Sequence, residues 1–170
     1  MHPVLLKYSL QIVFVITLAE LLYAVYMDLK IAKFPNKVFL SYLGLNLLLV
    51  IVLRGFGGLP VSAITMVAAS VLLVPIYITR IIGGGDIKLI FSLSPLLLLN
   101  EFLGFLLMSF IWAGVFGLFR SLLGGNLRAL LVNTFYMTKK VTVAQDAIPF
   151  TVGILLGWFS YKSIISLGFL

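Results

Sequence analysis

The feature that most constrains this chain is its succession of apolar runs, each about as long as a bilayer is thick, separated by short segments carrying Lys and Arg. A helix crossing a hydrocarbon core of roughly 30 Å needs about 20 predominantly apolar residues. Runs of that kind cover residues 4–27, 37–53, 60–79, 87–100, 102–119 and 147–168. They imply an all-α integral membrane protein of about six transmembrane helices, forming one domain over residues 1–170. The fourth run is short and interrupted by Pro95, and Asn100-Glu101 reads as a tight hairpin between it and the fifth. The first run is too long for the apolar region of a signal peptide and lacks a small-residue cleavage site. Overall the chain is 62% hydrophobic and 10% charged. Soluble domains stand near about 45–50% and about 25%, so a soluble domain of appreciable size is excluded. No internal repeat is visible.

Cytoplasmic loops of membrane proteins carry an excess of Lys and Arg. With six spans, the first, third and fifth loops hold Lys30, Lys33 and Lys37, then Arg80 and Lys88, then Arg120, Arg128, Lys139 and Lys140. These are nine of the twelve basic residues; Lys7, Arg54 and Lys162 are the others. The expected topology is therefore N-out and C-out, with the odd loops in the cytoplasm. The net charge of +7 is spread singly or in pairs between apolar runs, which argues against a nucleic-acid partner and for the lipid bilayer. In the fifth loop, about 120–146, Leu127, Leu130, Leu131 and Phe135 form a loose helical stripe, consistent with an amphipathic helix on the inner leaflet.

Chemistry has few residues to draw on. There is no cysteine, and the one histidine is His2, so disulfides, thiol nucleophiles, Ser-His-Asp triads and Cys- or His-based metal sites are disfavoured. No metal or other cofactor is expected. Five carboxylates remain: Glu20, Asp28, Asp86, Glu101 and Asp146. Asp28 closes the first apolar run and Asp86 opens the fourth, so the expected topology puts both at the cytoplasmic membrane edge. Two carboxylates sharing a water cannot both ionise cheaply, and the pair then holds one proton. The ionised member can take a proton from water while the protonated member polarises a carbonyl. The plainer reading is that each aspartate caps a helix or marks the interface.

The surroundings of the two aspartates differ. Gly83, Gly84 and Gly85 precede Asp86 and, without Cβ atoms, can take positive φ and admit a second backbone closely. Pro35 fixes a turn after Asp28, and Asn36 is placed to cap the second span. Lys30, Lys33 and Lys88 read as anchors for anionic headgroups, with Lys88 close enough in sequence to bear on Asp86. Glu20 lies eight residues before Asp28, about 12 Å deeper at 1.5 Å per residue, and is expected to be neutral and hydrogen-bonded, with Asn46 as a candidate partner. Asp146 is expected to cap the last span, with Pro149 in its first turn. Glu101 belongs to the outer hairpin, away from the pair.

The segment Asp28-Leu29-Lys30-Ile31-Ala32-Lys33-Phe34-Pro35-Asn36 and the segment Gly83-Gly84-Gly85-Asp86-Ile87-Lys88-Leu89 together resemble the prepilin peptidases, the type IV leader peptidases of bacteria and archaea. The family pattern is an aspartate followed by basic residues and Ile-Pro-Asn, then Gly-x-Gly-Asp, an apolar residue and Lys-Leu. Asp28, Lys30, Pro35 and Asn36 match the first motif, with Phe34 in place of isoleucine; Gly83, Gly85, Asp86, Lys88 and Leu89 match the second. The resemblance covers about 19–119 and continues loosely through Ala147, Ile148, Pro149 and Phe150 to Gly153 and Gly157. It implies an aspartyl endopeptidase of the cell membrane, with Asp28 and Asp86 as catalytic pair, that removes the short basic leader from pilin-like precursors at the cytoplasmic face. Larger members add a cysteine-containing zinc domain linked to N-methylation. Without cysteine, methyltransferase activity is not expected here, and the chain looks like the compact members serving Flp-type pili or the archaeal enzymes.

Presenilin-like proteases also use Gly-x-Gly-Asp, but they carry Tyr-Asp at the first aspartate and a Pro-Ala-Leu motif; here Met27 precedes Asp28 and no Pro-Ala-Leu occurs. A non-enzymatic alternative is a small ion-coupled carrier or pilus assembly factor with Glu20, Asp28 and Asp86 as a proton path. Repeat-built carriers are its natural precedent, and this chain shows no repeat.

Overall fold

The computed structural model describes residues 3–31, 34–79, 82–123 and 150–166. Among them are six α-helices: α1 (Pro3–Ile31), α2 (Asn36–Arg54), α3 (Leu59–Ile78), α4 (Gly84–Leu93), α5 (Leu99–Leu123) and α6 (Phe150–Ser166). Two short 3-10 turns, Phe56–Gly58 and Ser94–Leu96, precede α3 and follow α4. Strands are absent among the described residues. Four stretches are long and apolar enough to cross a membrane, Gln11–Lys30, Asn36–Arg54, Phe56–Ile78 and Leu99–Phe119, and the protein is a multi-pass membrane protein. Most of the loop expected at 120–146, Asp146, and the start of the last apolar run lie outside the described residues.

The helices are apolar on all sides, as lipid requires, and the distinction between inside and outside is made by size and polarity. Large aliphatics such as Leu29, Val52, Val67 and Ile78 project outward. The interior joins Leu21 and Ala24 of α1, Leu73 of α3, Leu89 and Leu93 of α4, Phe102 and Phe105 of α5, and Ile154 and Trp158 of α6 in one cluster. The turn from α2 to α3 rests on Gly55, whose φ of +69° with ψ of −176° is open in practice only to glycine.

The fourth run departs from expectation. Its helix is ten residues long, about 15 Å at 1.5 Å per residue, and cannot by itself cross the bilayer. Pro95 has no N–H, so the helix tightens into a 3-10 turn and then becomes extended at Leu97. This leaves carbonyls without helical donors among buried residues, which lipid does not tolerate. Side chains of neighbouring helices supply the donors. Asn46 Nδ2 bonds to the Ser92 carbonyl at 2.8 Å, Arg54 to Leu96 at 2.8 Å, Ser62 Oγ to Pro95 at 2.7 Å and Thr65 Oγ1 to Leu97 at 3.1 Å. The chain therefore turns at 94–98 and not at Asn100-Glu101. Those two residues lie in the first turn of α5, where Glu101 accepts a 3.0 Å bond from Leu98 N–H and pairs with Lys162 at 3.7 Å.

Helices α5 and α6 form the most extensive pair in the fold. Their closeness depends on small residues. A Cβ on Gly157 would stand 2.6 Å from the Ser109 backbone nitrogen, and one on Gly153 would stand 3.3 Å from that of Ala113. Two small residues four apart on each helix thus let the backbones meet, the usual solution where lipid provides no hydrophobic drive. The same pairing brings the first turn of α6 to the end of α1.

Candidate active site

On α1, positions 20, 24 and 28 fall on one stripe because residues four apart lie one above the other. Glu20 and Ala24 are buried on that stripe, and Asp28, in the last turn, is partly buried. Its carboxylate is held from the far end of the sequence: Thr151 Oγ1 donates to Asp28 Oδ2 at 2.8 Å. Sequence reasoning did not identify Thr151. The available signal was a hydroxyl in the first turn of the last apolar run, at the membrane level expected for Asp28.

Asp86 is the third residue of α4. Gly83 precedes the helix in extended conformation, φ −66° and ψ 146°, and its carbonyl accepts the first helical bond from Ile87 N–H at 3.3 Å. Positive φ is found only at Gly55 among the described residues, so the three glycines do not serve as left-handed positions. What they provide is space. A Cβ on Gly83 would lie 3.1 Å from Asp86 Oδ2, one on Gly84 would lie 3.3 Å from the Tyr77 ring, and one on Gly85 would lie 3.1 Å from Phe34 Cβ. The elbow before Asp86 is therefore clasped between the end of α3 and the Phe34-Pro35 segment that follows Asp28. Next to it opens a cleft of about 530 Å³ lined by Tyr77, Ile78, Ile82, Gly83 and Gly84.

The Asp86 carboxyl is pushed up from its usual range to about 7, first by burial and then by the negative charge of Asp28. The second cause requires the two carboxylates to be near one another. The structure thus brings Asp28 and Asp86 to one end of the bundle, as the positions of the two motifs imply.

Other residues singled out in the sequence have different duties from those expected. Asn36 does not cap α2: Pro35 is the cap residue, with φ −65° and ψ 144°, and makes no side-chain capping bond. The Asn36 Oδ1 instead accepts a 2.7 Å bond from Lys88 Nζ, tying the start of α2 to α4 two residues beyond Asp86. Lys88 is thereby a tether as well as a surface cation. Lys30 bonds to the Tyr26 hydroxyl at 3.0 Å, on the exposed side of α1. Glu20 is buried and does meet Asn46, whose Nδ2 lies 3.1 Å from Glu20 Oε2; Tyr42 donates to the Glu20 backbone carbonyl at 3.1 Å. Thr17 Oγ1, Glu20 Oε1 and Asn46 Oδ1 are buried without a hydrogen-bond partner among the described residues. No group of three or more His, Cys, Asp or Glu suited to a metal ion occurs among the described residues.

Comparison with curated proteins and with solved structures gives no significant match. The type IV leader peptidase family matches residues 15–118, from α1 through most of α5, and so includes both aspartates, the glycine elbow, the Phe34-Pro35 clasp and the Glu20–Asn46 contact. With more than half of the chain accounted for in that way, the protein belongs to the type IV leader peptidase family.

Proposed function

We propose that this protein is an aspartic-type leader peptidase in which Asp28 and Asp86 are the catalytic pair. The observation that carries the reading is the electrostatic coupling of the two carboxylates: burial and the Asp28 charge together raise Asp86 to about 7. A pair so arranged holds one proton near neutral pH, on Asp86. Asp28, kept oriented by Thr151, takes the proton of an attacking water. Asp86 donates a hydrogen bond to the scissile carbonyl and stabilises the oxyanion that forms. Returning that proton to the leaving amine completes the hydrolysis, and no metal or cofactor takes part.

The substrate is a pilin-like precursor whose apolar stem lies in the membrane and whose basic leader is cut at the cytoplasmic face. In this reading an extended segment enters by the cleft lined by Tyr77, Ile78, Ile82, Gly83 and Gly84, whose glycines lead into Asp86 along the chain. The topology that goes with this reading has six membrane passes, the fourth made by α4 together with the turn and extended residues that follow it, N-out and C-out, in the prokaryotic cell (inner) membrane, and no N-methyltransferase activity.

The test is cleavage of a synthetic pilin precursor by purified protein in detergent, comparing wild type with Asp28→Asn and Asp86→Asn. Both variants are expected to leave the leader uncut while retaining wild-type thermal stability in the acidic range. Cleavage by either variant at the wild-type rate would reject the pair. If wild type left every pilin precursor intact and instead conducted protons or ions in liposomes, the carrier reading would replace the peptidase.

A further inference from the structure

Asn46 has an unusual position. It is wholly buried on α2, between the helix that carries Asp28 and the helix that carries Asp86. Its Nδ2 bonds to Glu20 Oε2 on α1 at 3.1 Å and to the Ser92 carbonyl on α4 at 2.8 Å. Both partners are acceptors, so the amide orientation is fixed and both of its hydrogens are used. Helix α4 packs chiefly on α2, whereas α1 packs chiefly on α6 and meets α2 more lightly. Asn46 is therefore a polar link that ties the Asp28 helix to the Asp86 helix through α2, where apolar contact between α1 and α2 is slight. Glu20 lies eight residues from Asp28 and Ser92 six residues from Asp86, each joined to its aspartate by continuous helix.

Two atoms of the link are left over. Among the described residues Glu20 Oε1 and Asn46 Oδ1 are buried and without partners, and both are acceptors if Glu20 is ionised. Leaving two buried acceptors unpaired in lipid is unfavourable, and so is an ionised carboxylate that receives one hydrogen bond. A proton on Glu20 Oε1 resolves both, because a carboxylic acid and a primary amide can donate to and accept from each other across one planar ring.

We propose that Asn46 and Glu20 are positioning residues, forming a reciprocal amide–carboxylic acid pair that, with the Asn46 bond to the Ser92 carbonyl, sets the distance between Asp28 and Asp86. This rests on the peptidase reading only for its effect on rate; the spacing itself can be measured without activity. Gln at position 20 can make the same reciprocal pair as a protonated Glu, whereas Leu at either position cannot.

The experiment has three readouts. In purified enzyme acting on a synthetic pilin precursor, Asn46→Leu and Glu20→Leu are expected to lower kcat by about 100-fold, the order that a misplacement of about 1 Å produces, while KM stays within about twofold. Glu20→Gln restores kcat. Because the chain has no cysteine, a Cys pair introduced at positions 28 and 86 reports their separation through a short bifunctional thiol cross-linker. Cross-linking is expected to fall in the Leu variants and return with Glu20→Gln, whether or not any precursor is cleaved. Third, the infrared difference between wild type and Glu20→Gln should contain the carbonyl stretch of a protonated carboxyl group. Loss of cross-linking and kcat in Glu20→Gln equal to that in Glu20→Leu, unchanged cross-linking in Asn46→Leu, or absence of the protonated-carboxyl band overturns the proposal. Should a Leu variant fail to fold, the Glu20→Gln comparison and the infrared band decide it. Inert wild-type enzyme with intact cross-linking behaviour overturns the peptidase reading and leaves the positioning pair standing.

Discussion

Thr151 donates a 2.8 Å hydrogen bond to Asp28 across 123 positions of sequence. The contact closes the bundle, since α6 packs both along α5 and against α1. It also gives the Asp28 carboxylate a fixed donor, and a hydrogen bond to a charged group contributes about 1.5–3 kcal/mol. Thr151→Val is therefore expected to lower kcat/KM by about tenfold or more. Thr151→Ser, which keeps the hydroxyl, should remain near wild type. Steady-state cleavage of a pilin precursor by the two variants checks this.

Asp86 supplies a pH dependence whose sign can be worked out. It lies outside the four long spans, in the first turn of α4, and its carboxyl is raised to about 7 from an unfolded value near 3.8. In that window the folded state binds the proton and the unfolded state does not, so stability declines as pH rises. The contribution is fully present below about 4 and lost by the time pH passes about 7. Thermal unfolding in detergent should show this decline in wild type and a flatter profile in Asp86→Asn. Activity should likewise fall as pH rises through about 7, because the proton on Asp86 is the one offered to the substrate.

The α5–α6 seam should be sensitive to a single methyl group. In Gly157→Ala the new Cβ would lie 2.6 Å from the Ser109 backbone, with no flexible atom able to yield. Overpacking of this kind costs about 1–3 kcal/mol. Gly44→Ala, where the added Cβ meets nothing within 4 Å, is the matched control and should be neutral or slightly stabilising. Thermal unfolding of the two variants separates local crowding from a general effect of replacing helical glycine.

The elbow should respond in rate before it responds in stability. A Cβ on Gly85 would press on Phe34 Cβ at 3.1 Å, and one on Gly83 would approach Asp86 Oδ2 at 3.1 Å. Both neighbours can move by a few tenths of an ångström, so Gly83→Ala and Gly85→Ala should fold. Displacement of the carboxylate is expected to lower kcat by about 10- to 100-fold. Wild-type kcat in both variants would show that the glycines serve the turn alone.

Much of the protein follows from local chemistry and is readable along the chain. The apolar runs dictate membrane helices, because lipid leaves a backbone no other partner over such lengths. The lack of Cys and near-lack of His leave carboxylates as the only titrating pair, and the positions of Asp28 and Asp86 at ends of apolar runs place them at one level. Tertiary structure decided what depends on contacts between distant segments. Pro95 breaks α4, but whether a broken helix survives in lipid depends on Asn46, Arg54, Ser62 and Thr65 arriving from α2 and α3 to meet its carbonyls. Asn36 has the composition of a helix cap, yet Lys88 on another helix competes for its oxygen. The glycines permit positive φ, but the clasp formed by Phe34 and Tyr77 requires only their missing Cβ atoms. Thr151 lies in a run with no periodic signal to mark it, and the packing of α6 against α5 and α1 brings its hydroxyl to Asp28. Sequence determined which groups are available and at what depth; the packing of helices, through hydrogen bonds that no single segment can make alone, decided which of them meet.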